Sequence, residues 1–228
     1  MTALAERLAR VHERIAAAAT RAARSPDSVT LVAIGKTWPA GVLREAVAAG
    51  ATVLGENKVQ EALDKASDVR GARWHLVGPL QRNKARRAVE IFSLIHTLDS
   101  ERLADRLDQL GRERRTPVEV LVQVNLSREA SKAGVFEEDL SGFLDGCAGR
   151  AGLLVRGLMS IPEPPERPED SRPGFVRLRT IAERERASSR PGVELEELSM
   201  GMTDDFEVAV EEGATLVRVG RAIFGPRG

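Results

Sequence analysis

The sequence predicts an α/β chain closed as a single (β/α)8 TIM-type barrel, with one extra helix ahead of it. Three observations support that fold. Short apolar, strand-like runs alternate with helical patterns along the whole chain. Eight such runs can be counted. Polar and glycine residues gather where the runs end, while their interiors stay apolar. Alternation implies parallel pairing, because each crossover helix returns the chain to the same end of the sheet. An open doubly wound sheet also fits alternation. The eight runs and a length of 228 residues, near the lower end for a barrel of about 200–250, favour closure.

The elements follow in order. Residues 1–23 carry the spaced apolar pattern of an amphipathic helix, with charges throughout. This is the extra element, expected to cap the barrel's bottom or to pack along its side. Strands are expected over 30–35, 52–54, 73–77, 93–98, 118–125, 153–159, 196–200 and 216–219. Helices are expected over 39–49, 59–66, 83–91, 100–114, 137–146, 174–187 and 204–212, with a short helical turn after Gly220. Gly50 and Gly213 stand where a glycine ends a helix. Ser100-Glu101 and Thr203-Asp204-Asp205 supply caps and first-turn acids. Pro39 and Pro173 lie at or just before helix starts. The acidic, Pro-rich run from Ile161 to Asp170 is a loop after the sixth strand. Residues 1–228 read as one domain.

Composition excludes several classes. Lys+Arg and Asp+Glu are both 34, so the formal net charge is +0. A balanced chain argues against a broad nucleic-acid or membrane footprint. The one local basic patch, Gln81 to Arg87, reads as a solvated helix face. Cys147 is the single cysteine and reads as a small packing residue, so no intramolecular disulfide can form. The N-terminus lacks the apolar core of a signal peptide, and a cytoplasmic location is expected.

Chemistry in a barrel sits at the C-terminal ends of the strands. Lys36 closes the first apolar run. A lysine there can simply snorkel to solvent, but an amine held partly desolvated at a pocket mouth is suited to imine formation. At the other side of the mouth, Ser199-Met200-Gly201 and Arg218-Val219-Gly220-Arg221 follow the last two strands. A hydroxyl, glycine-exposed N–H groups and helix starts together make an anion site. An amine facing a phosphate site suggests pyridoxal 5′-phosphate, which carries an aldehyde at one end and a phosphate at the other. Arg218 is then placed to meet the ring; a guanidinium at the pyridine nitrogen keeps that nitrogen unprotonated and weakens the electron sink.

Six motifs carry a family resemblance: Ala33-Ile34-Gly35-Lys36-Thr37; Gly55-Glu56-Asn57-Lys58-Val59-Gln60-Glu61; the run from Trp74 to Lys84; Gly157-Leu158-Met159-Ser160-Ile161-Pro162; the run from Leu198 to Asp205; and the run from Val217 to Gly225. Together, in order along the chain, they resemble the pyridoxal phosphate homeostasis proteins of the YggS/PROSC type. The resemblance implies a barrel like the N-terminal domain of alanine racemase and a covalent aldimine (Schiff base) on Lys36. It also implies phosphate contacts from Ser199 and the backbone around Gly201, Gly220 and Arg221. Arg218 would meet the pyridine nitrogen, Asn57 would lie beside the ring, and Met200 near the phosphate loop. Lys132, in the loop after the fifth strand, is placed near the mouth as a second amine. His75 is read equally as a core histidine. Gly35 departs from the Ser or Ala common before the reactive lysine and is expected to loosen the local backbone.

Two functions compete. One is an intracellular vitamin B6 homeostasis carrier that binds pyridoxal phosphate without turnover, with apo-enzymes as recipients. The other is an amino-acid racemase. Racemisation needs a proton donor on each face of a planar carbanion, and the chain contains no tyrosine to serve opposite the lysine. The carrier reading is favoured, and a monomer is expected.

Overall fold

The apolar runs form parallel strands in the computed structural model, which describes residues 2–127, 129, 132–163 and 165–226. They are β1 (Thr30–Ile34), β2 (Val53–Glu56), β3 (Arg73–Leu76), β4 (Phe92–Leu98), β5 (Val118–Asn125), β6 (Val135–Phe136), β7 (Leu153–Met159), β8 (Val193–Ser199) and β9 (Leu216–Val219). β1 pairs with both β2 and β9, and the additional β4–β5 pairing closes the ring through β3, β7 and β8. The predicted eight-stranded barrel is therefore present. β6, a two-residue pairing on β5, was not expected; it is too short to leave a periodic signal.

Helices α1 (Ala3–Arg21), α2 (Ala40–Ala48), α3 (Val59–Ala66), α4 (Ala85–Ile91), α5 (Glu101–Arg114), α6 (Glu137–Cys147), α7 (Arg172–Arg186), α8 (Phe206–Glu211) and α9 (Arg221–Phe224) surround the strands. α1 packs along the side, on α2, α8 and α9, through Leu4, Leu8, Val11 and Ile15. Arg7 Nε donates to the Ile223 carbonyl at 2.6 Å, and Arg14 pairs with Glu207 at 2.7 Å. No helix among the described residues is long and apolar enough to cross a membrane. Cys147 is buried in the shell, and burial pushes its thiol up to about 11, consistent with packing rather than nucleophilic use.

Two apolar layers result from strand alternation. One set of side chains, including Leu31, Ala33 and Leu54, faces the helices. Another, including Val32, Val53, Leu94, Leu121, Met159 and Leu216, fills the barrel. The rest of the interior is polar instead, with His75, His96, Ser199 and Arg218 all buried.

Two boundaries differ from expectation for identifiable reasons. β8 begins at Val193, not at 196, because Leu195 adopts φ 55° and interrupts the alternation. The β7–β8 register shifts there, from Val155 opposite Val193 to Gly157 opposite Glu197. α8 begins at Phe206, not at 204, because Asp205 turns backward and its carboxylate accepts from the Met202 N–H and the Ser171 hydroxyl, each at 2.7 Å. Arg128, Ala130 and Ser131 of the loop after β5, Pro164 of the Pro-rich run, and residues Met1, Arg227 and Gly228 lie outside the described residues.

The shifted register brings backbone against backbone at Gly157, where a Cβ would sit 1.8 Å from the Glu197 carbonyl oxygen. Gly157→Ala is therefore expected to destabilise the barrel by about 3 kcal/mol, since the clash is with main chain that cannot rotate away. Urea denaturation reads this; an unchanged midpoint would show that β8 can shift freely.

Candidate functional site

A cavity of about 390 Å³ opens at the C-terminal ends of the strands, within the size range of small-ligand pockets. Its apolar wall is Ile34, Val77, Ile161, Pro165 and Met202, and its polar groups come from Lys36, Asn57, Thr203, Arg218 and Arg221, with the acids Asp204 and Asp205 beside them. Every contributor lies at or just beyond a strand end, where barrel sites are built.

Lys36 is half-buried and sits two residues beyond β1, in a turn rather than on the strand. The Trp38 N–H donates to the Gly35 carbonyl at 3.1 Å to close that turn. Gly35 does not loosen it. A Cβ there would come 2.5 Å from Leu43, so the position is filled by close packing of α2. Asn57 follows β2, and Gly78 allows the chain after β3 to cross it; a Cβ at Gly78 would lie 2.2 Å from the Asn57 carbonyl oxygen.

Arg218 is the buried cation of the site. Its NH1 donates to Ser199 Oγ at 2.7 Å and its NH2 to the Ser160 carbonyl at 2.9 Å. Burial without a hydrogen-bonded carboxylate pulls its pKa down to about 10, partly offset by the charge of Asp205. The guanidinium has five N–H donors, so these two contacts leave others for a ligand atom. Arg221 pairs with Asp204 across the cavity rim.

The interior behind Arg218 is a hydrogen-bonded series. His96 Nδ1 lies 2.9 Å from Ser199 Oγ, and His96 Nε2 lies 3.0 Å from His75 Nδ1. Burial drives the His75 pKa down to about 3 and that of His96 well below the usual histidine range, so both imidazoles are neutral. The tautomers that give the Ser199 hydroxyl an acceptor run from Ser199 O–H to His96 Nδ1, then from His96 Nε2–H to His75 Nδ1.

The structure brings together Lys36, Asn57, Arg218, Gly220 and Arg221 around the cavity, but not the other expected site residues. The Ser199 hydroxyl is committed to Arg218 and His96. Met200 is fully buried in the apolar shell. Gly201 has φ 86° and faces Ala209 and Phe206, while its carbonyl accepts from the Arg218 N–H at 3.0 Å. His75 lines a separate recess near the opposite strand ends, with Arg73, Glu119 and Glu197. Lys132 Nζ contacts Glu129 and Glu163, each at 2.8 Å, outside the cavity lining. Sequence reasoning assigned no ligand role to Thr203, which it read as a helix cap; the hydroxyl between a glycine turn and two acids was the available signal.

Fold and site together define an alanine racemase-type barrel: the profile of the family described as "Alanine racemase, N-terminal domain" matches residues 7–228. A protein named "Pyridoxal phosphate homeostasis protein" from Escherichia coli is 41% identical over 237 residues, covering 100% of this chain and 98% of that one. Its namesake in Pseudomonas aeruginosa is 42% identical over 229 residues, covering 100% and 97%. The chain belongs to the pyridoxal phosphate homeostasis protein family. The solved structure of PipY from Synechococcus elongatus with PLP bound is 40% identical with a TM-score of 0.85, covering 97% of this chain and 100% of that one. D-threonine aldolase from Filomicrobium marinum, 19% identical with a TM-score of 0.71, shares the fold.

Proposed function

We propose that this protein binds pyridoxal 5′-phosphate covalently through Lys36 and acts in vitamin B6 homeostasis as a carrier without turnover. The observation that carries the reading is the cavity itself, where one amine, one buried guanidinium and a polar rim surround an apolar slot. The cofactor supplies an aldehyde, which condenses with a primary amine and releases water. Lys36 offers the amine. Arg218, fixed by Ser199 and Ser160, offers N–H donors to the pyridine nitrogen and keeps it unprotonated. Thr203, Arg221 and the backbone at Gly220 hold the phosphate, while Asn57 and Val77 flank the ring. PipY, bound to PLP, is the relative that most directly supports this ligand.

Turnover is disfavoured by what surrounds the amine. Lys36 is the one lysine in the described lining. Asp204 is paired with Arg221, and Asp205 holds Met202 and Ser171, so neither acid is poised as an opposing base. The chain is expected to work as a monomer in the cytoplasm, as a single domain, with apo-enzymes as recipients.

Titration of the protein with pyridoxal phosphate tests this. The expected result is a saturable visible band and, with added amino acids, negligible exchange of the α-hydrogen. Rapid racemisation would replace the carrier reading with an enzyme; no band would remove the cofactor.

A further inference from the structure

The two peptide groups that flank Lys36 are each held by a charged side chain of α3. The Thr37 N–H donates to Glu61 Oε2 at 3.0 Å, and Lys65 Nζ donates to the Gly35 carbonyl at 3.3 Å. Lys65 is itself anchored on Glu56 Oε1 at 2.8 Å, and Glu56 is fully buried. The second oxygen of Glu56 is also buried and has no hydrogen-bond partner among the described residues, so Lys65 is the one cation compensating that carboxylate there. The far side of the turn is closed by Trp38, stacked on Phe224 of α9 with centroids 6.0 Å apart.

The clamp opposes a local strain. Thr37 has φ 70°, in the left-handed region. A β-branched residue is rarely found there, and such conformations persist only where surrounding contacts impose them. A charge-assisted hydrogen bond to the strained residue's own N–H is such a contact. Without it the strained Thr37 peptide loses the contact made to its own N–H, while the turn keeps Lys65 on the Gly35 carbonyl and Trp38 on Phe224.

We propose that Glu61 and Lys65 are positioning residues for Lys36, and that the strained Thr37 peptide is the element they hold. The proposal rests on Lys36 being the cofactor-binding amine. It assigns a purpose to the acid and amine of α3, which touch no part of the cavity. The same α3 segment thus supplies the grip on β1's outgoing turn, while Asn57, two residues before it, lines the slot.

The test uses the full chain in two arms. Without cofactor, amide hydrogen exchange is measured at Thr37. With pyridoxal phosphate, the rate of borohydride-fixed labelling on Lys36 is measured by mass. Glu61→Ala is expected to speed Thr37 exchange by about tenfold or more and to slow Lys36 labelling by about tenfold. Glu61→Gln keeps a carbonyl acceptor and is expected to retain at least about half of the wild-type labelling rate. Thr37→Gly in the Glu61→Ala background is expected to restore labelling, because glycine adopts the left-handed conformation without penalty. A simple packing role for Glu61 predicts no such rescue. Unchanged labelling in Glu61→Ala, or failure of Thr37→Gly to restore it, overturns the proposal. If Glu61→Ala does not fold, the double variant and Glu61→Gln decide it by the same labelling rates. If wild-type protein itself takes no label on Lys36, the cofactor reading fails; the clamp is then judged on Thr37 exchange alone, and unchanged exchange in Glu61→Ala overturns it.

Discussion

Lys36→Ala is expected to abolish covalent retention of pyridoxal phosphate and leave the barrel folded. The amine is a half-buried side chain on a turn, and it adds no apolar surface to either core layer. The main chain of that turn is held independently, by Glu61 at Thr37, Lys65 at Gly35 and Trp38 on Phe224. Removing the side chain therefore leaves those contacts in place and is expected to cost about 1 kcal/mol or less, the ordinary effect of a substitution outside the core. Covalent attachment has no such reserve, since no other lysine lines the described cavity. Borohydride reduction followed by peptide mass mapping should show the label on Lys36 in the wild type and none in the variant. The visible band should disappear with it, while the melting temperature shifts by a few degrees at most. Label appearing on Lys132 would reassign the reactive amine. Unfolding of the variant would make Lys36 structural.

The barrel was legible because its evidence is periodic. Eight apolar runs with polar ends survive small errors at each boundary, and parallel pairing follows from alternation. Two of the boundaries that shifted are governed by one residue acting against the period. Leu195 takes a left-handed conformation inside β8, and Asp205 bonds backward to Met202 instead of forward into α8. No pattern in the flanking residues announces either. In the site, Lys36, Asn57, Arg218, Gly220 and Arg221 were legible because they follow strand ends, and strand ends face the mouth. Ser199 was named as a phosphate contact, but its bond to His96 was not expected: its side chain points into the barrel, where its partners are Arg218 of the neighbouring β9 and His96 of β4. Sequence separation hides such a pairing. The same holds for Glu61 and Lys65. Glu61 stands only at the end of a sequence motif and Lys65 in none; their contacts appear once the fold lays α3 beside the end of β1.

Loss of stability in mild acid is the second large effect, and it comes from His75 and His96. Both imidazoles are buried, 3.0 Å apart, with Arg73 beside His75 and Arg218 near His96. Each folded-state pKa lies below the ordinary histidine value of 6.5, at about 3 for His75. Below pH 6.5 the unfolded chain therefore binds more protons than the folded one. The contribution of the pair is fully present above that pH and is lost as pH falls from about 6.5 toward the folded-state values. Each histidine that is protonated only on unfolding gives a slope of about 1.4 kcal/mol per pH unit, so the pair gives at most about 2.7. His12 is also shifted downward by partial burial and adds in the same direction. Comparing urea denaturation at pH 7, 6 and 5 in the wild type and in His75→Gln/His96→Gln isolates the interior pair, since His12 is common to both. The double variant is expected to lose less stability between pH 6 and pH 5 than the wild type, by roughly 2 kcal/mol. Equal slopes would mean that water enters the barrel and solvates the imidazolium. In that case Ser199 would have lost its neutral acceptor, and its oxygen would accept from both Arg218 and the imidazolium.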